Sequence, residues 1–171
     1  MGADAAMIAA CPRLEVIAVY GVGYDAVDLA ACRARGIKVA NTPDVLTKDV
    51  ADLGVAMMLA QSRGVVGAEA WARNGAWAAK GGFPLRNRVW GKRAGILGLG
   101  RIGQAIARRA EGFGMSIAYT ARSAKSALPL RYLPTAAALA AQSDFLVVIT
   151  PGGAGTRKLV DAEVLAALGP Q

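Results

Sequence analysis

The chain has 171 residues, of which 54% are hydrophobic, 19% charged and only 6% aromatic. This composition is typical of a globular protein and argues against a disordered segment. Because alanine, glycine, valine and leucine dominate, the composition favours helices packed closely on strands over an aromatic-rich sandwich or barrel. The first expectation is therefore an α/β layer fold.

The net charge of +8 raises the question of a nucleic-acid partner, because clustered basic residues bind phosphates. The basic residues are scattered, so we expect no nucleic-acid surface and favour small anionic ligands. The two cysteines have no motif spacing, and neither a signal peptide nor a membrane segment is recognised, which predicts reduced thiols and a cytoplasmic location. The sequence contains no histidine, so imidazole chemistry and histidine-based metal binding are excluded from these residues.

The first part of the chain predicts a strand, a helix and a second strand. Residues 14–20 form an apolar run that ends at the glycines of GVGYD. Residues 25–35 have apolar positions at helical spacing, with Asp25 as the expected N-cap. Residues 37–41 then form a short strand.

Residues 44–74 predict one long helix, of a length that suits a connection between two domains. Residues 74–93 follow as an extended loop rich in glycine, aromatic and basic residues, and a loop of this length usually has a function. The inner face of the helix is predicted to consist of Val50, Leu53, Gly54, Met57, Met58 and Gln61.

From residue 93 onward, strands and helices alternate, which predicts a parallel sheet with right-handed crossovers. Strands are predicted at 93–100, 115–120 and 144–150, and helices at 101–114, 135–142 and 161–168.

Three glycines, Gly98, Gly100 and Gly103, match the pattern GxGxxG at the point where the first of these strands meets its helix. In a dinucleotide-binding turn, Gly98 permits the tight turn, Gly100 lets a pyrophosphate approach the backbone, and Gly103 lets helix and strand pack closely. A second strand ends about 20 residues further on, as this mechanism requires. We therefore expect a cofactor turn here, the alternative being a glycine-rich turn that only packs.

The second strand ends where a dinucleotide-binding fold would meet the adenosine ribose. Folds that prefer NAD have a carboxylate there, whereas this sequence has Thr120 followed by Arg122, Ser123 and Lys125. An arginine fork matches the geometry of a phosphate, and a carboxylate would repel one. We therefore predict that NADP(H) is the preferred cofactor and NAD(H) the second choice. The alternative is that Arg122 is a solvated loop charge and that the site accepts either cofactor.

The third strand ends in ITPGGAGT. The carboxyl ends of strands in such a sheet border the ligand crevice, so Thr150 and Pro151 are predicted to line the dinucleotide. The glycines of this segment fit a flexible turn equally well.

Several ordered motifs together resemble the D-isomer-specific 2-hydroxyacid dehydrogenases, and most closely their glyoxylate/hydroxypyruvate reductase branch. They are GVGYDAVDLAACRARGIKVANTPD, DVADLGVAMMLA, GILGLGRIGQAIARR and the loop after DFLVVITP. The resemblance implies a partial Rossmann-type doubly wound parallel sheet plus part of a flavodoxin-like substrate domain. It implies a partial substrate-binding domain at 1–41, an inter-domain helix at 42–74, an extended dimer loop at 75–92 and the first half of an NAD(P)-binding domain at 93–171.

The same resemblance assigns roles to particular residues. Backbone N–H groups of Val22 and Gly23 would bind the substrate carboxylate, as an anion-binding nest does. Val50 would pack near the nicotinamide, although a core position is an equally good interpretation. The pyrophosphate would be covered by Arg101, Ile102 and Gly103, and the 2′-phosphate by Arg122 and Ser123.

In this branch the long loop crosses to the partner subunit of a homodimer and closes its substrate pocket. Phe83 and Leu85 are the candidates here, with Trp77 packing at the interface. Exposed apolar side chains on a long loop favour an interface. A loop folded back on its own chain is the alternative.

This sequence departs from the family in one large respect. Family members have an arginine that binds the substrate, an acid/base histidine and a carboxylate that orients this histidine, and all three would follow the end of this sequence. We therefore expect an internal fragment of a longer enzyme, without catalytic residues of its own and inactive alone. In the intact relative, a small 2-oxo acid would be reduced to a D-2-hydroxy acid. The alternatives are a non-catalytic dinucleotide-sensing module, a structural piece that binds nothing, and an NAD-dependent enzyme of the phosphoglycerate dehydrogenase type.

Overall fold

The computed structural model describes residues 2–170, and their contacts divide the chain into two compact units. The first unit runs up to Thr47 and includes Thr150–Leu159. The second unit comprises Lys48–Ile149 and the chain from Val160 onward. Each unit has its own cluster of buried apolar side chains.

The first unit contains a two-stranded parallel sheet covered by short helices. Ile8, Cys32 and Ile37 are buried in its core. The guanidinium of Arg35 donates hydrogen bonds to the carbonyl oxygens of Ile8, Cys11 and Pro12, which ties the second helix to the end of the first. The elements are α1 (Ala5–Ala10), β1 (Val16–Ala18), α2 (Leu29–Ala34), β2 (Lys38–Ala40) and a 3₁₀ helix (Ala154–Thr156).

The expected start of the helix after GVGYD is wrong by several residues. The N–H of Val27 donates to the carbonyl oxygen of Tyr24 at 3.0 Å, so these residues form a turn. The helix begins only at Leu29, where the carboxylate of Asp28 accepts the N–H of Ala31 at 2.9 Å. Asp28 rather than Asp25 is the N-cap, because only its carboxylate reaches a free N–H of the first helical turn.

The second unit is an α/β layer structure with a four-stranded parallel sheet, in the order β5 (Arg131–Tyr132), β4 (Ser116–Thr120), β3 (Arg93–Leu97) and β6 (Phe145–Val148). The Rossmann-type fold class is confirmed. Its elements are α3 (Thr47–Arg63), α4 (Val65–Arg73), α5 (Ala76–Lys80), β3 (Arg93–Leu97), α6 (Arg101–Glu111), β4 (Ser116–Thr120), β5 (Arg131–Tyr132), α7 (Ala136–Ala140), β6 (Phe145–Val148) and α8 (Ala162–Leu168).

The central strand β3 has helices against both of its faces. Ala94 and Ile96 belong to the core cluster that includes the buried side of α6. Gly95, between them in the strand, faces α7: a Cβ atom there would lie 3.0 Å from Leu139. Because successive side chains of a strand point to opposite faces, α6 and α7 cover opposite sides of the sheet.

The single helix predicted over 44–74 is wrong. Gly64 adopts a left-handed conformation, with φ of 64°, and separates α3 from α4. A glycine enters this region without the steric cost that other residues meet there, so the chain turns at this point. The loop predicted at 74–93 likewise contains the short helix α5.

The predicted inner face of α3 is also largely wrong. Leu53 and Met57 are 59% and 64% exposed. A Cβ atom at Gly54 would lie 3.2 Å from the side chain of Ile106, so the helix approaches α6 along this glycine. An apolar helix with two candidate faces buries the one that allows the closer approach. The buried residues of α3 are Ala51, Val55, Met58 and Ser62.

The count of three strands in the sheet is one too low. The two-residue strand β5 pairs with β4 through Ala118 and Arg131 and through Tyr119 and Tyr132. A strand this short has no periodicity that a sequence pattern could detect.

Candidate dinucleotide site

The GxGxxG turn has the close approach expected of it. Gly98 has a φ of 105°, a backbone conformation that favours glycine. A Cβ atom at Gly103 would overlap the carbonyl oxygen of Gly98, so α6 begins directly against the turn. A Cβ atom at Gly100 would meet no atom within 4 Å and would point into open space. The turn therefore leaves free the side that a pyrophosphate would need.

Hydrogen bonds join three strand ends at one edge of the sheet. The N–H of Gly98 donates to the carbonyl oxygen of Thr120 at 2.9 Å, which ties the glycine turn to the end of β4. The N–H of Ile149 donates to the carbonyl oxygen of Leu97 at 2.9 Å, which ties the end of β6 to that of β3. The glycine turn and the segment after β4 therefore lie side by side at this edge.

The segment after β4, residues 121–126, presents basic and polar side chains. Arg122, Ser123 and Lys125 are all exposed. The side chain of Arg122 forms no hydrogen bond or ion pair with the part of the chain that the structure describes. No carboxylate follows β4 in this segment, so the local charge is positive. A positively charged segment of this kind attracts a phosphate group. It has no carboxylate that could accept hydrogen bonds from the free hydroxyls of a ribose.

A residue that the sequence reasoning did not single out holds this segment. The phenol oxygen of Tyr119, whose side chain is 1% exposed, accepts the N–H of Lys125 at 2.7 Å. The alternation of buried and exposed positions along β4 indicates that Tyr119 is inward-facing, but no sequence pattern indicates its hydrogen-bond partner.

The remaining cofactor candidates of the second unit lie at the starts of helices. Arg101, the first residue of α6, is exposed, and Ile102 is half-buried against the core of the unit. Val50 is half-buried in the first turn of α3.

In the first unit, the turn at GVGYD is held by the two residues that follow β2, Asn41 and Thr42. The N–H of Gly21 donates to the hydroxyl of Thr42 at 3.2 Å, and the side-chain amide of Asn41 donates to the carbonyl oxygen of Val22 at 2.9 Å. The N–H groups of Val22 and Gly23 have no hydrogen-bond partner within residues 2–170. Two adjacent free N–H groups in a fixed turn are a chemical fit for an anion.

The loop after β6 is ordered by a threonine. Thr150 is half-buried and Pro151 is exposed. The hydroxyl of Thr156 donates to the carbonyl oxygen of Pro151 at 2.7 Å and lies 3.3 Å from that of Gly153. The glycines therefore belong to a turn that continues into a 3₁₀ helix.

The long loop packs back on the helix that precedes it. The ring of Phe83 lies edge-on to that of Trp71, with centroids 5.9 Å apart, and the guanidinium of Arg86 lies 4.8 Å from the centroid of Phe83. Cβ atoms at Gly64 and Gly67 would each lie 3.2 Å from the Phe83 ring. By contrast, the loop leaves three other large apolar side chains largely in solvent: Leu85 is 99% exposed, Trp77 61% and Trp90 64%.

At the opposite edge of the sheet, an ion pair joins the first residue of β3 to Asp144, the residue before β6. The Nε and Nη2 atoms of Arg93 donate to the two carboxylate oxygens of Asp144 at 3.1 Å and 3.0 Å, and the backbone N–H of Arg93 donates to the same carboxylate at 2.8 Å. These hydrogen bonds lower the pKa of Asp144 below its ordinary value of 3.8 and raise the pKa of Arg93. The pair stabilises the sheet far from the glycine turn.

Two further kinds of site are not found among the described residues. Residues 2–170 contain no group of three or more histidine, cysteine, aspartate or glutamate side chains placed to hold a metal ion. Over the same residues, no helix combines the length and the apolar character needed to cross a membrane.

The chain is similar to several enzymes along almost its whole length. It is 46% identical over 168 residues to glyoxylate/hydroxypyruvate reductase A of Arabidopsis thaliana, a match that covers 98% of this chain and 53% of that protein. The solved 2-hydroxyacid dehydrogenase of Ketogulonicigenium vulgare is 62% identical, with a TM-score of 0.89 over 98% of this chain and 53% of that one. The NADPH-dependent glyoxylate/hydroxypyruvate reductase of Sinorhizobium meliloti, solved with NADP and malonate, is 48% identical, with a TM-score of 0.94 over the same shares.

A parallel sheet in which the central strand leads through GxGxxG into a helix defines a Rossmann-type dinucleotide-binding unit. The family model for the NAD binding domain of D-isomer specific 2-hydroxyacid dehydrogenases matches residues 55–171. The chain belongs to this family of oxidoreductases, as its motifs predicted. It spans about half the length of the curated relatives it matches.

Proposed function

We propose that this chain is part of an NADP(H)-dependent reductase that converts small 2-oxo acids of the glyoxylate/hydroxypyruvate type to D-2-hydroxy acids. The observation that carries the cofactor preference is Arg122, which follows the end of β4 beside the glycine turn and has no partner among the described residues. A guanidinium in this position is suited to a 2′-phosphate. The relative from Sinorhizobium meliloti was solved in complex with NADP, which supports the same choice.

Each part of the cofactor would be held by a different segment. The turn from Gly98 to Gly103, with Arg101 and Ile102, would cover the pyrophosphate, because the side of Gly100 is open. Arg122 and Ser123 would bind the 2′-phosphate. NADPH would supply the hydride for the reduction. Contacts to the cofactor are also proposed for Val50, Thr150 and Pro151.

The substrate carboxylate would be bound by the free N–H groups of Val22 and Gly23. Asn41 and Thr42 hold that turn, so the two donors are positioned before substrate arrives. Donors that need no rearrangement stabilise an anion more effectively than mobile ones. This role would make residues 1–41 part of a substrate-binding domain and residues 93–171 the first half of a cofactor domain, joined through residues 42–74.

The long loop at 75–92 is proposed to contribute to a homodimer. Exposed apolar side chains of the loop, Leu85 and Trp77 among them, support this role. Phe83 contacts its own chain, so any contact with a partner would use the part of its ring left accessible. A cytoplasmic location stays a prediction from the two free cysteines.

The absence of histidine supports a further part of the proposal, that these 171 residues alone do not turn over. Reduction of a 2-oxo group to an alcohol needs a proton donor beside the developing alkoxide. NADPH oxidation measured with glyoxylate or hydroxypyruvate should therefore be at the level of the buffer blank. Steady turnover by the 171 residues would contradict this part.

The test of the cofactor assignment is Arg122→Asp in the protein that carries this sequence. We expect the Kd for NADPH to rise at least about tenfold, the effect of losing a charge-assisted hydrogen bond, and the Kd for NADH to change little. Arg108→Asp is the matched control, since Arg108 is an exposed arginine within α6 and makes the same change in net charge. Equal effects of Arg122→Asp on both cofactors would overturn the assignment.

A further inference from the structure

The segment that carries Arg122 is held by a hydrogen bond to one buried phenol. Tyr119 lies within β4 with its side chain 1% exposed, and its oxygen accepts the N–H of Lys125 at 2.7 Å. The chain leaves the strand at Thr120 and returns to the phenol at Lys125, so the residues between them form a closed arc. Arg122 and Ser123 lie in the middle of that arc.

The phenol itself has little freedom to move. The ring of Tyr132 on β5 packs at 5.5 Å from that of Tyr119, with an angle of 57° between the planes. The N–H of Leu133 donates to the carbonyl oxygen of Tyr119 at 2.8 Å. The hydroxyl of Thr120 donates to the carbonyl oxygen of Leu133 at 2.9 Å and lies 3.2 Å from that of Thr135. Both ends of the arc are therefore anchored to the sheet.

We infer that Tyr119 is a positioning residue for recognition of the 2′-phosphate, acting through the backbone of Lys125. This inference rests on the proposed NADP(H) preference. A long cationic side chain loses conformational freedom when it binds a phosphate, and a mobile backbone would add to that loss. The Tyr119–Lys125 hydrogen bond removes the backbone part of that cost before the ligand binds.

The central experiment is Tyr119→Phe in the protein that carries this sequence, because phenylalanine keeps the buried ring and removes only the acceptor. The probes are adenosine 2′,5′-bisphosphate, which contains the 2′-phosphate, and AMP, which does not. We expect the Kd for the bisphosphate to rise roughly three- to tenfold, the effect of losing one neutral hydrogen bond, and the Kd for AMP to stay unchanged. Amide hydrogen exchange at Lys125 should become faster.

Tyr132→Phe is the matched control, since Tyr132 is the neighbouring tyrosine and its hydroxyl forms no hydrogen bond with any described residue. It should change neither affinity. A purely structural role for Tyr119 would weaken both ligands equally, and that result would overturn the inference. A Tyr119→Phe protein with unchanged affinity for both ligands would overturn it as well.

A second pair of variants tests the other end of the hydrogen bond. Lys125→Ala and Lys125→Pro both remove the positive charge, but only Lys125→Pro also removes the N–H donor. The bisphosphate should bind more weakly to Lys125→Pro than to Lys125→Ala, and equal affinities would contradict the inference. Arg122→Ala separates the two proposals. If this variant binds the bisphosphate as tightly as wild type, the NADP(H) assignment fails. If it binds the bisphosphate more weakly while Tyr119→Phe has no effect, only the positioning role fails.

Discussion

The carbonyl oxygen of Gly98 lies where a Cβ atom of residue 103 would have to be. The contact joins the start of the turn after β3 to the first turn of α6, so any side chain at Gly103 must push the helix away from the turn. We expect Gly103→Ala to lower the free energy of unfolding by about 2 kcal/mol, as overpacking of a close contact does. Urea unfolding followed by circular dichroism measures this change. A Gly103→Ala protein as stable as wild type would show that the helix can move without cost.

Gly100→Ala should behave in the opposite way. A methyl group there meets no protein atom within 4 Å, and the backbone φ of −77° suits alanine. The free energy of unfolding should therefore change by less than about 0.5 kcal/mol. The same methyl group would occupy the side from which a pyrophosphate approaches, so the Kd for NADPH should rise at least about tenfold. Calorimetric titration would detect it, and unchanged NADPH binding would argue against this face of the turn as the cofactor site.

The ion pair between Arg93 and Asp144 predicts a dependence of stability on pH. The pKa of Asp144 is lowered in the folded chain, chiefly by its hydrogen bond with Arg93. A lowered carboxyl pKa contributes stability above the unfolded value of 3.8, and this contribution is lost as the pH falls through the lower folded value.

Asp144→Asn should accordingly lower Tm at neutral pH, and its difference from wild type should shrink as the pH falls below 3.8. Thermal melts across that range measure the effect. Glu111→Gln, at an exposed carboxylate at the end of α6, is the control and should leave Tm nearly unchanged at neutral pH. If the Tm of Asp144→Asn stays equally far below that of wild type in acid, packing and not charge holds the two strands together.

Two neighbouring apolar residues of the long loop should differ in what they stabilise. Phe83 packs on Trp71 and on the glycines at 64 and 67, so Phe83→Ala should destabilise the chain by about 1–3 kcal/mol, less than a fully buried phenylalanine would. Leu85 is 99% exposed, so Leu85→Ala should leave the free energy of unfolding of a single chain unchanged.

If the loop contributes to a dimer, Leu85→Ala should weaken association of the complete protein. Sedimentation equilibrium measures the dissociation constant, and we expect it to rise severalfold because an apolar side chain leaves the interface. If wild type and Leu85→Ala have the same dissociation constant, Leu85 does not lie in an interface.

Local patterns in the sequence were sufficient for the glycine turn and the basic segment after β4. A strand, a turn and a helix in succession depend on neighbouring residues, and the glycine spacing together with one arginine predicts the class of ligand proposed for this turn. The family motifs extended that prediction along the whole chain. Even so, the true N-cap Asp28 and the break at Gly64 were missed, because several residues in each segment satisfy the same pattern.

Only the tertiary structure decided which of these residues meet. Tyr119 and Lys125 are joined because burial fixes the ring beneath the segment. Arg93 meets Asp144 across 51 residues of sequence because their strands are adjacent in the sheet. The buried face of α3 follows from how closely α6 can approach Gly54. Contacts of this kind depend on packing between distant segments, and hydrophobic periodicity within one segment contains no record of the surface it will meet.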